Sequence, residues 1–558
     1  MTLRLKLALA LLFLLLAATG GRLFQLQVLQ HGFWVAQAQR IQERELVEPY
    51  PRGRIYDRNG LLLASDLQSY SFAIDPQHLE KAEALKSILK RNLGLSDSFL
   101  RDAFAQESYF VWIKRKVDPA TAERVEKEAR EAQVKGLIII PEWRRVYPQG
   151  ELASSLLGFA GLDNQGLEGL ELGFDELLRG TPGRLRLLRS GDGEIIAERV
   201  REAGRPGADL VLTIDARVQH LAEEKISWGV AEYQAKNGFI AVMDPETGEL
   251  LALAQARRYD PNDFAHSTPE ERLNYAISWP FEPGSVMKVF VALAALEYGV
   301  ITTDERVSGN EPVIVGGHRF RNAPNHSYGP VTLKDIISRS INTGMIRVSL
   351  RLEEEQLYDF LRRLGFGQEA GLGLPGEVGG SLRPVSQWSA PDRAAIAIGQ
   401  AISVTGIQLL AAGAALANGG IFLKPQLIKE IRRSDGKVER LKPEIARQVA
   451  GSWSIAALKG MMVEVVESGT GMAARIKGFS IAAKSGTAQK ALPGEGYVEG
   501  KYVSSFLGFF PAERPQFAIL VVLDEVGVEP YWGGQTAGTV FRKLAERLID
   551  LMNLTPER

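Results

Sequence analysis

No cysteine occurs among the 558 residues. That removes disulfides, thiol catalysis, cysteine-based metal sites and a lipidated N-terminal cysteine in one step. It leaves the compartment open, because an exported protein can manage without disulfides. Histidine is scarce, with six in all and none in an HExxH or comparable spacing, so neither a catalytic metal nor a cofactor is expected. The formal net charge of −1 supplies no global field to draw the chain onto nucleic acid, and no nucleic-acid partner is expected. Repeats and low-complexity tracts are also missing. The rest is ordinary for folded protein: 45% hydrophobic and 24% charged residues, in a chain too long for one core.

The N-terminus carries the first positive signal. Arg4 and Lys6 precede an uncharged apolar run, Leu7 to Gly21, and Arg22 comes next. Fifteen helical residues reach only about 22 Å, short of a hydrocarbon core of roughly 30 Å. Snorkelling by Lys6 and Arg22, with Leu23, Phe24 and Leu26 extending the apolar face, makes a single span feasible. Ala18-Thr19-Gly20 also offers a small-x-small pattern, so a cleaved signal peptide is the rival reading. Either one exports the remainder of the chain, and the basic residues ahead of the run put the N-terminus in the cytoplasm.

Leu23 to Phe33 continues as an amphipathic stalk. Pro51 to Ala64, with Asn59-Gly60 at its centre, reads as a β-hairpin. Residues 78–134 read as mostly helical and solvated. Strands are expected at Leu137–Ile140, Gly183–Leu188, Glu194–Val200 and Leu210–Asp215. From residue 237 a strand–turn–strand spans Phe239 to Ala254. Helices are expected at Ser285–Tyr298, Leu333–Arg351 (broken near Ser340) and Ser454–Glu467. Strands at Ser480–Ala483, Tyr502–Phe510 and Phe517–Leu523 and a helix at Thr539–Leu551 complete the chain. Strands at both ends of this region imply an α/β (α+β) domain, with one mainly antiparallel sheet covered by helices.

Three short motifs carry chemistry. Ser285 and Lys288 stand three apart at a helix start, so the amine reaches the hydroxyl. A serine is a poor nucleophile without a base, and lysine becomes one when burial, the helix dipole or a second cation disfavours its proton. Ser340 and Asn342 bring a hydroxyl and an amide to one cleft, for proton relay and substrate binding. Lys484-Ser485-Gly486-Thr487 ends an apolar strand. Such an edge lies antiparallel to a bound peptide, with Lys484 and Thr487 on a carboxylate and Gly486 admitting its backbone. Each alone reads better as a capped helix, a polar turn or a charged strand end.

In order within one domain, the three match the S-x-x-K, S-D-N and K-T-G set of β-lactamases and penicillin-binding proteins, with Ser340-Ile341-Asn342 and Lys484-Ser485-Gly486 as variants. The chain resembles class B penicillin-binding proteins along nearly its whole length. Arg52-Gly53-Arg54-Ile55-Tyr56-Asp57-Arg58-Asn59-Gly60, Arg145-Val146-Tyr147-Pro148 and Gly166-Leu167-Glu168-Gly169-Leu170-Glu171 share in the likeness. The resemblance implies a cytoplasmic tail and anchor (1–24), a stalk and non-catalytic pedestal (25–206) and a transpeptidase domain (207–558). It implies peptidoglycan stem peptides as substrates, acylation by β-lactams, and residence in the cell (inner) membrane.

By the same resemblance Ser285 attacks the D-Ala–D-Ala carbonyl. Lys288 is the base, Ser340 shuttles the proton, Asn342 and Lys484 complete the catalytic set, and Ser485, Gly486 and Thr487 bind substrate. The N–H groups of Ser285 and Thr487 would form the oxyanion hole. Phe281-Glu282-Pro283-Gly284 and Tyr531-Trp532-Gly533-Gly534 look more like the cell-division FtsI type, which implies division proteins and a SEDS-family glycosyltransferase as partners. An elongation-type enzyme acting in cell shape is the nearest alternative, and a non-catalytic β-lactam sensor or scaffold a more distant one.

Overall fold

The structure, a computed structural model, describes residues 3–189, 195–323, 326–492 and 496–557. Met1 of the expected tail, Glu194 at the head of an expected strand and the terminal Arg558 lie outside the described residues. The chain divides into two compact units, one of 1–51, 69–143 and 180–207, the other of 52–68, 144–179 and 208–558.

The first unit begins with an exposed helix, Leu3–Phe24, succeeded by a π-helical turn, Gln25–Leu29. Within Leu3–Leu29 an 18-residue window reaches a mean hydropathy of 2.1. Twenty-two residues at about 1.5 Å each reach about 33 Å, so the helix is longer than the apolar run suggested and matches a bilayer core. It is compatible with a single-pass membrane anchor. Strands Glu43–Glu48, Gly183–Arg189 and Ile195–Glu202 form an antiparallel sheet. Helices Ala82–Leu93, Asp97–Phe104 and Pro119–Glu131 bury Leu85, Leu89, Leu100 and Val125 with Phe72, Ile74, Val111 and Ile113. The expected helical run 78–134 is therefore interrupted by a strand, Val111–Val117. Val111 and Ile113 are buried while Trp112 and Lys114 are exposed, a period of two that the run of cations disguises as a solvated helix.

The second unit contains the expected hairpin. Ile55 pairs with Ala64 and Tyr56 with Leu62, and Asp57 Oδ1 accepts the N–H groups of Asn59 and Leu61 at 2.8 and 2.7 Å. Three stretches that looked alike only by family meet here in one buried ion cluster. Arg52 donates to Glu171 at 3.0 Å and to Asp175 at 2.5 Å. Arg145 donates to the other Glu171 oxygen at 2.6 Å and to Asp66 at 3.2 Å. Buried charges persist only when paired with opposite ones, as here.

The catalytic region of this unit runs α1 (Ala216–Glu232), β1 (Asn237–Met243), β2 (Leu250–Gln255), α2 (Met287–Glu297), α3 (Leu333–Ser338), α4 (Asn342–Ser349), α5 (Gly406–Ala417), α6 (Ser452–Glu467), β3 (Ala482–Leu492), β4 (Gly496–Phe510), β5 (Phe517–Asp524) and α7 (Ala537–Met552). The strands form one antiparallel sheet in the order β2-β1-β5-β4-β3. Alternation assigns its two faces. Ile240, Val242, Ile519 and Val521 pack with Val218, Ile226, Phe541 and Leu544 of α1 and α7. Phe239, Ala241, Leu520 and Val522 join the other core with α2 and α5. With both faces covered, β5 reads as a continuous apolar run. Among the described residues β3 ends the sheet, which leaves its outer edge open to an extended peptide.

Candidate active site

Ser285 lies in a single 3₁₀ turn, Gly284–Val286, that runs directly into α2. Gly284 N–H donates to Gly399 O at 3.1 Å, and Phe281 exchanges two 2.9 Å backbone bonds with Val404, which fixes the approach to the turn. Every residue of α2 from Met287 to Leu296 is buried, so Lys288 is held inside with no exposed surface. The helix expected as Leu333–Arg351 is broken where anticipated. α3 ends at Ser338, Ser340 has φ +59°, and α4 starts at Asn342. That left-handed conformation costs a β-bearing residue of order 1–3 kcal/mol and aims both Ser340 oxygens at Lys288.

Lys288 Nζ has four oxygen neighbours. Ser340 O and Asn342 Oδ1 both lie at 2.6 Å, and Ser285 Oγ and Ser340 Oγ both at 3.1 Å. The Asn342 orientation is set by its Nδ2 donating to Arg321 O at 2.9 Å. The first two neighbours can only accept, so they take two N–H bonds. The remaining neighbours are hydroxyls able to donate, so a neutral amine can turn its single lone pair toward one of them. Burial holds Lys288 well below the usual lysine range, and the Lys484 charge pushes it further down.

Lys484 is also fully buried, and burial brings it down to about 7. Its Nζ lies 3.1 Å from Ser340 Oγ and donates to Ser485 O at 2.9 Å. Ser340 Oγ is thus shared by two amines. Thr487 Oγ1 accepts the Gly533 N–H at 2.9 Å, leaving its own proton to donate. Ser485 Oγ lies 2.8 Å from Thr470 Oγ1. Packing alone already requires glycine at 486: a Cβ there would collide with Ser505 Oγ and come within 2.9 Å of Pro283 O in the nucleophile's own turn.

Ser285, Ser340, Asn342, Ser485 and Thr487 line one cleft of about 640 Å³. The motif reading missed several of its parts. Thr470 orders Ser485. Gly533 packs so closely on Gly486 O that any side chain would collide, which gives Tyr531–Gly534 a structural function not visible in its sequence. Glu282 accepts from Ala401 N–H at 3.0 Å and from Tyr497 O–H at 3.0 Å, and burial pushes its carboxyl up. These partners are distant in sequence and carry no spacing signal.

Residues 238–546 match the family described as penicillin binding protein transpeptidase domain, and residues 47–212 the penicillin-binding protein dimerisation domain. The Neisseria gonorrhoeae protein named probable peptidoglycan D,D-transpeptidase PenA is 33% identical over 558 residues, covering 99% of this chain and 92% of that protein. The Escherichia coli K12 protein named peptidoglycan D,D-transpeptidase FtsI is 31% identical over 556 residues, covering 98% and 91%. Among solved structures, penicillin binding protein 3 of Mycobacterium tuberculosis complexed with aztreonam superposes with a TM-score of 0.73 at 28% identity, covering 92% of this chain and 98% of that one. A peptidoglycan synthetase from Bifidobacterium adolescentis gives 0.76 at 27% identity, covering 93% and 98%.

Proposed function

The chain belongs to the class B penicillin-binding proteins, and from that premise we propose how its own residues carry out serine-type peptidoglycan D,D-transpeptidation. The observation that carries the proposal is the buried Lys288 amine, held by two pure acceptors at 2.6 Å with Ser285 Oγ and Ser340 Oγ at 3.1 Å. Ser285 Oγ attacks the carbonyl carbon of the D-Ala–D-Ala bond and gives its proton to Lys288. The oxyanion is met by the N–H groups of Ser285 and Thr487. Collapse breaks the C–N bond, and a proton passes from Lys288 through Ser340 Oγ to the departing D-Ala amine. An amine of a neighbouring stem then attacks the acyl-enzyme along the reverse path. Lys484 poises Ser340, Asn342 orients Lys288, and Thr487 with Ser485 binds the substrate's terminal carboxylate. β-Lactams acylate the same serine.

The assay is release of D-Ala from a stem pentapeptide. Wild type should release it and Ser285→Ala should not; equal release by both would contradict the assignment.

We further propose that residues 1–24 anchor the chain in the cell membrane with the N-terminus cytoplasmic, and that 25–206 and 207–558 act as pedestal and transpeptidase domain. The likeness to FtsI supports a septal role beside a SEDS-family glycosyltransferase. Gly20 and Gly21 have open space where a Cβ would sit, which suits close packing against another membrane helix. Co-purification with the division polymerase, weakened by bulky residues at Gly20 and Gly21, is expected. Capture of the elongation polymerase and lateral-wall localisation would favour the elongation type.

A further inference from the structure

We propose that Arg339 and Arg321 form a carboxylate-reading subsite on the Ser340 side of the cleft, which takes a side carboxylate of the stem peptide ahead of its D-Ala–D-Ala end. The inference rests on the transpeptidase reading of this cleft.

Arg339 immediately precedes Ser340, lines the cleft with Ser285 and Asn342, and is exposed. Among the described residues its side chain makes no hydrogen bond or ion pair. The nearby acids are already engaged. Asp335 accepts from Thr332 N–H at 3.0 Å and Thr332 Oγ1 at 2.7 Å, and feels Arg339 only through its field. On α6, Glu464 pairs with Lys334 at 3.3 Å and Glu467 with Arg475 at 2.9 Å. Arg321 stands at the same turn, since its backbone oxygen accepts from Asn342 Nδ2 at 2.9 Å. It too is exposed, with no side-chain partner among the described residues, and Ala323 two positions on lines the cleft.

A chain of net charge −1 thus leaves two guanidinium groups without a partner among the described residues, Arg339 lining the cleft and Arg321 on the segment whose backbone accepts from Asn342. Guanidinium forks match carboxylates bidentately, and a walled cleft screens them less than open solvent. The peptide's terminal carboxylate is assigned to the Thr487 side, so the anion these arginines meet belongs to an earlier residue. The bland alternative is that Arg339 merely complements the C-terminal carbonyls of α3, a short helix. That function would affect stability without distinguishing one peptide from another.

The test uses the full-length protein in detergent and two synthetic stem pentapeptides ending in D-Ala–D-Ala, identical except that a side carboxylate is free or amidated. Release of D-Ala gives kcat/KM for wild type, Arg339→Gln, Arg321→Gln, the double variant and Arg339→Lys. Wild type should prefer the free carboxylate by about five- to tenfold, mostly through KM, as expected for a charge-assisted contact in a cleft. The preference should fall to about one in the double variant, survive in part in Arg339→Lys, and weaken with added salt. A preference unchanged in the double variant, or no preference in wild type, overturns the subsite alone. Failure of wild type to release D-Ala from either peptide would overturn the transpeptidase reading and the subsite with it.

Discussion

Lys288 Nζ and Lys484 Nζ approach the same hydroxyl, each 3.1 Å from Ser340 Oγ, and neither lysine has exposed surface. Two amines sharing one oxygen in a buried site cannot both remain charged near neutral pH. Lys484 comes down to about 7 and Lys288 lies well below the usual range, so protons enter the pair at Lys484 first. Lys288 is left neutral to accept the Ser285 proton.

Removing that amine should remove the base. Lys288→Ala is expected to fold and to lose acylation by benzylpenicillin by a factor of roughly 10² or more. Stopped-flow acylation rates check this, and an unchanged rate would move the base elsewhere.

Acid should switch the site off by protonating Lys288, which burial and the Lys484 charge hold well below the usual lysine range, so the acylation rate should fall as pH is lowered. Lys484→Met removes a neighbouring positive charge, which raises the Lys288 pKa and moves the acid limb of the residual activity upward. A limb that stays put or moves down contradicts the coupling. The same variant has a stability signature. The folded state holds Lys484 at about 7 against an ordinary 10.5, so it binds fewer protons than the unfolded chain between those values. The resulting cost is fully present below about 7 and gone above 10.5. Lys484→Met should therefore raise Tm at pH 6 by on the order of 2–4 °C, with the gain shrinking toward pH 10. A gain that grows with pH would contradict it.

The ion cluster around Glu171 should matter for folding and not for chemistry. Glu171→Ala leaves Arg52 and Arg145 facing each other in a buried site, and loss of one partner in such a cluster costs about 3–5 kcal/mol. Denaturant unfolding should show the loss, while the acylation rate per folded molecule stays near wild type. A variant as stable as wild type would mean that solvent or another group compensates.

The N-terminal helix should remain on the mature protein and hold it in the membrane fraction. Mass spectrometry of the purified chain is expected to find the sequence before Arg22. A mature start near Gly20 or Gly21 would instead establish signal-peptide cleavage.

Much of this site was legible in the sequence because its signals are local. The Ser285–Lys288 spacing, the polar break at Ser340 and the apolar run ending in Lys484 each depend on a few neighbouring residues. The alternating and continuous apolar patterns marked four strands of the catalytic sheet for the same reason. The fifth, expected as Ser480–Ala483, runs Ala482–Leu492, so Lys484–Thr487 lie within it and not at its end. Backbone pairing with β4 carries the strand through the polar motif. The features that stayed hidden depend on contacts between distant segments. Gly486 was expected as room for a ligand, and nothing in its spacing told that its missing side chain also faces Ser505 and Pro283. Tyr531–Gly534 had a family likeness and no physical role until Gly533 was found against β3. Val111–Val117 was lost among helices because Lys114, Arg115 and Lys116 outweighed the alternation of Val111 and Ile113. Helix α1 drew no notice, although Asp215 caps it by accepting the Arg217 N–H.

The central claim is that Ser285 is the acylated residue, and covalent labelling tests it most directly. Wild type incubated with a fluorescent penicillin should carry the label on the peptide containing Ser285, as read by gel fluorescence and peptide mass spectrometry. Folded Ser285→Ala should carry none. Label that persists on folded Ser285→Ala, or maps to another residue in wild type, would contradict the account.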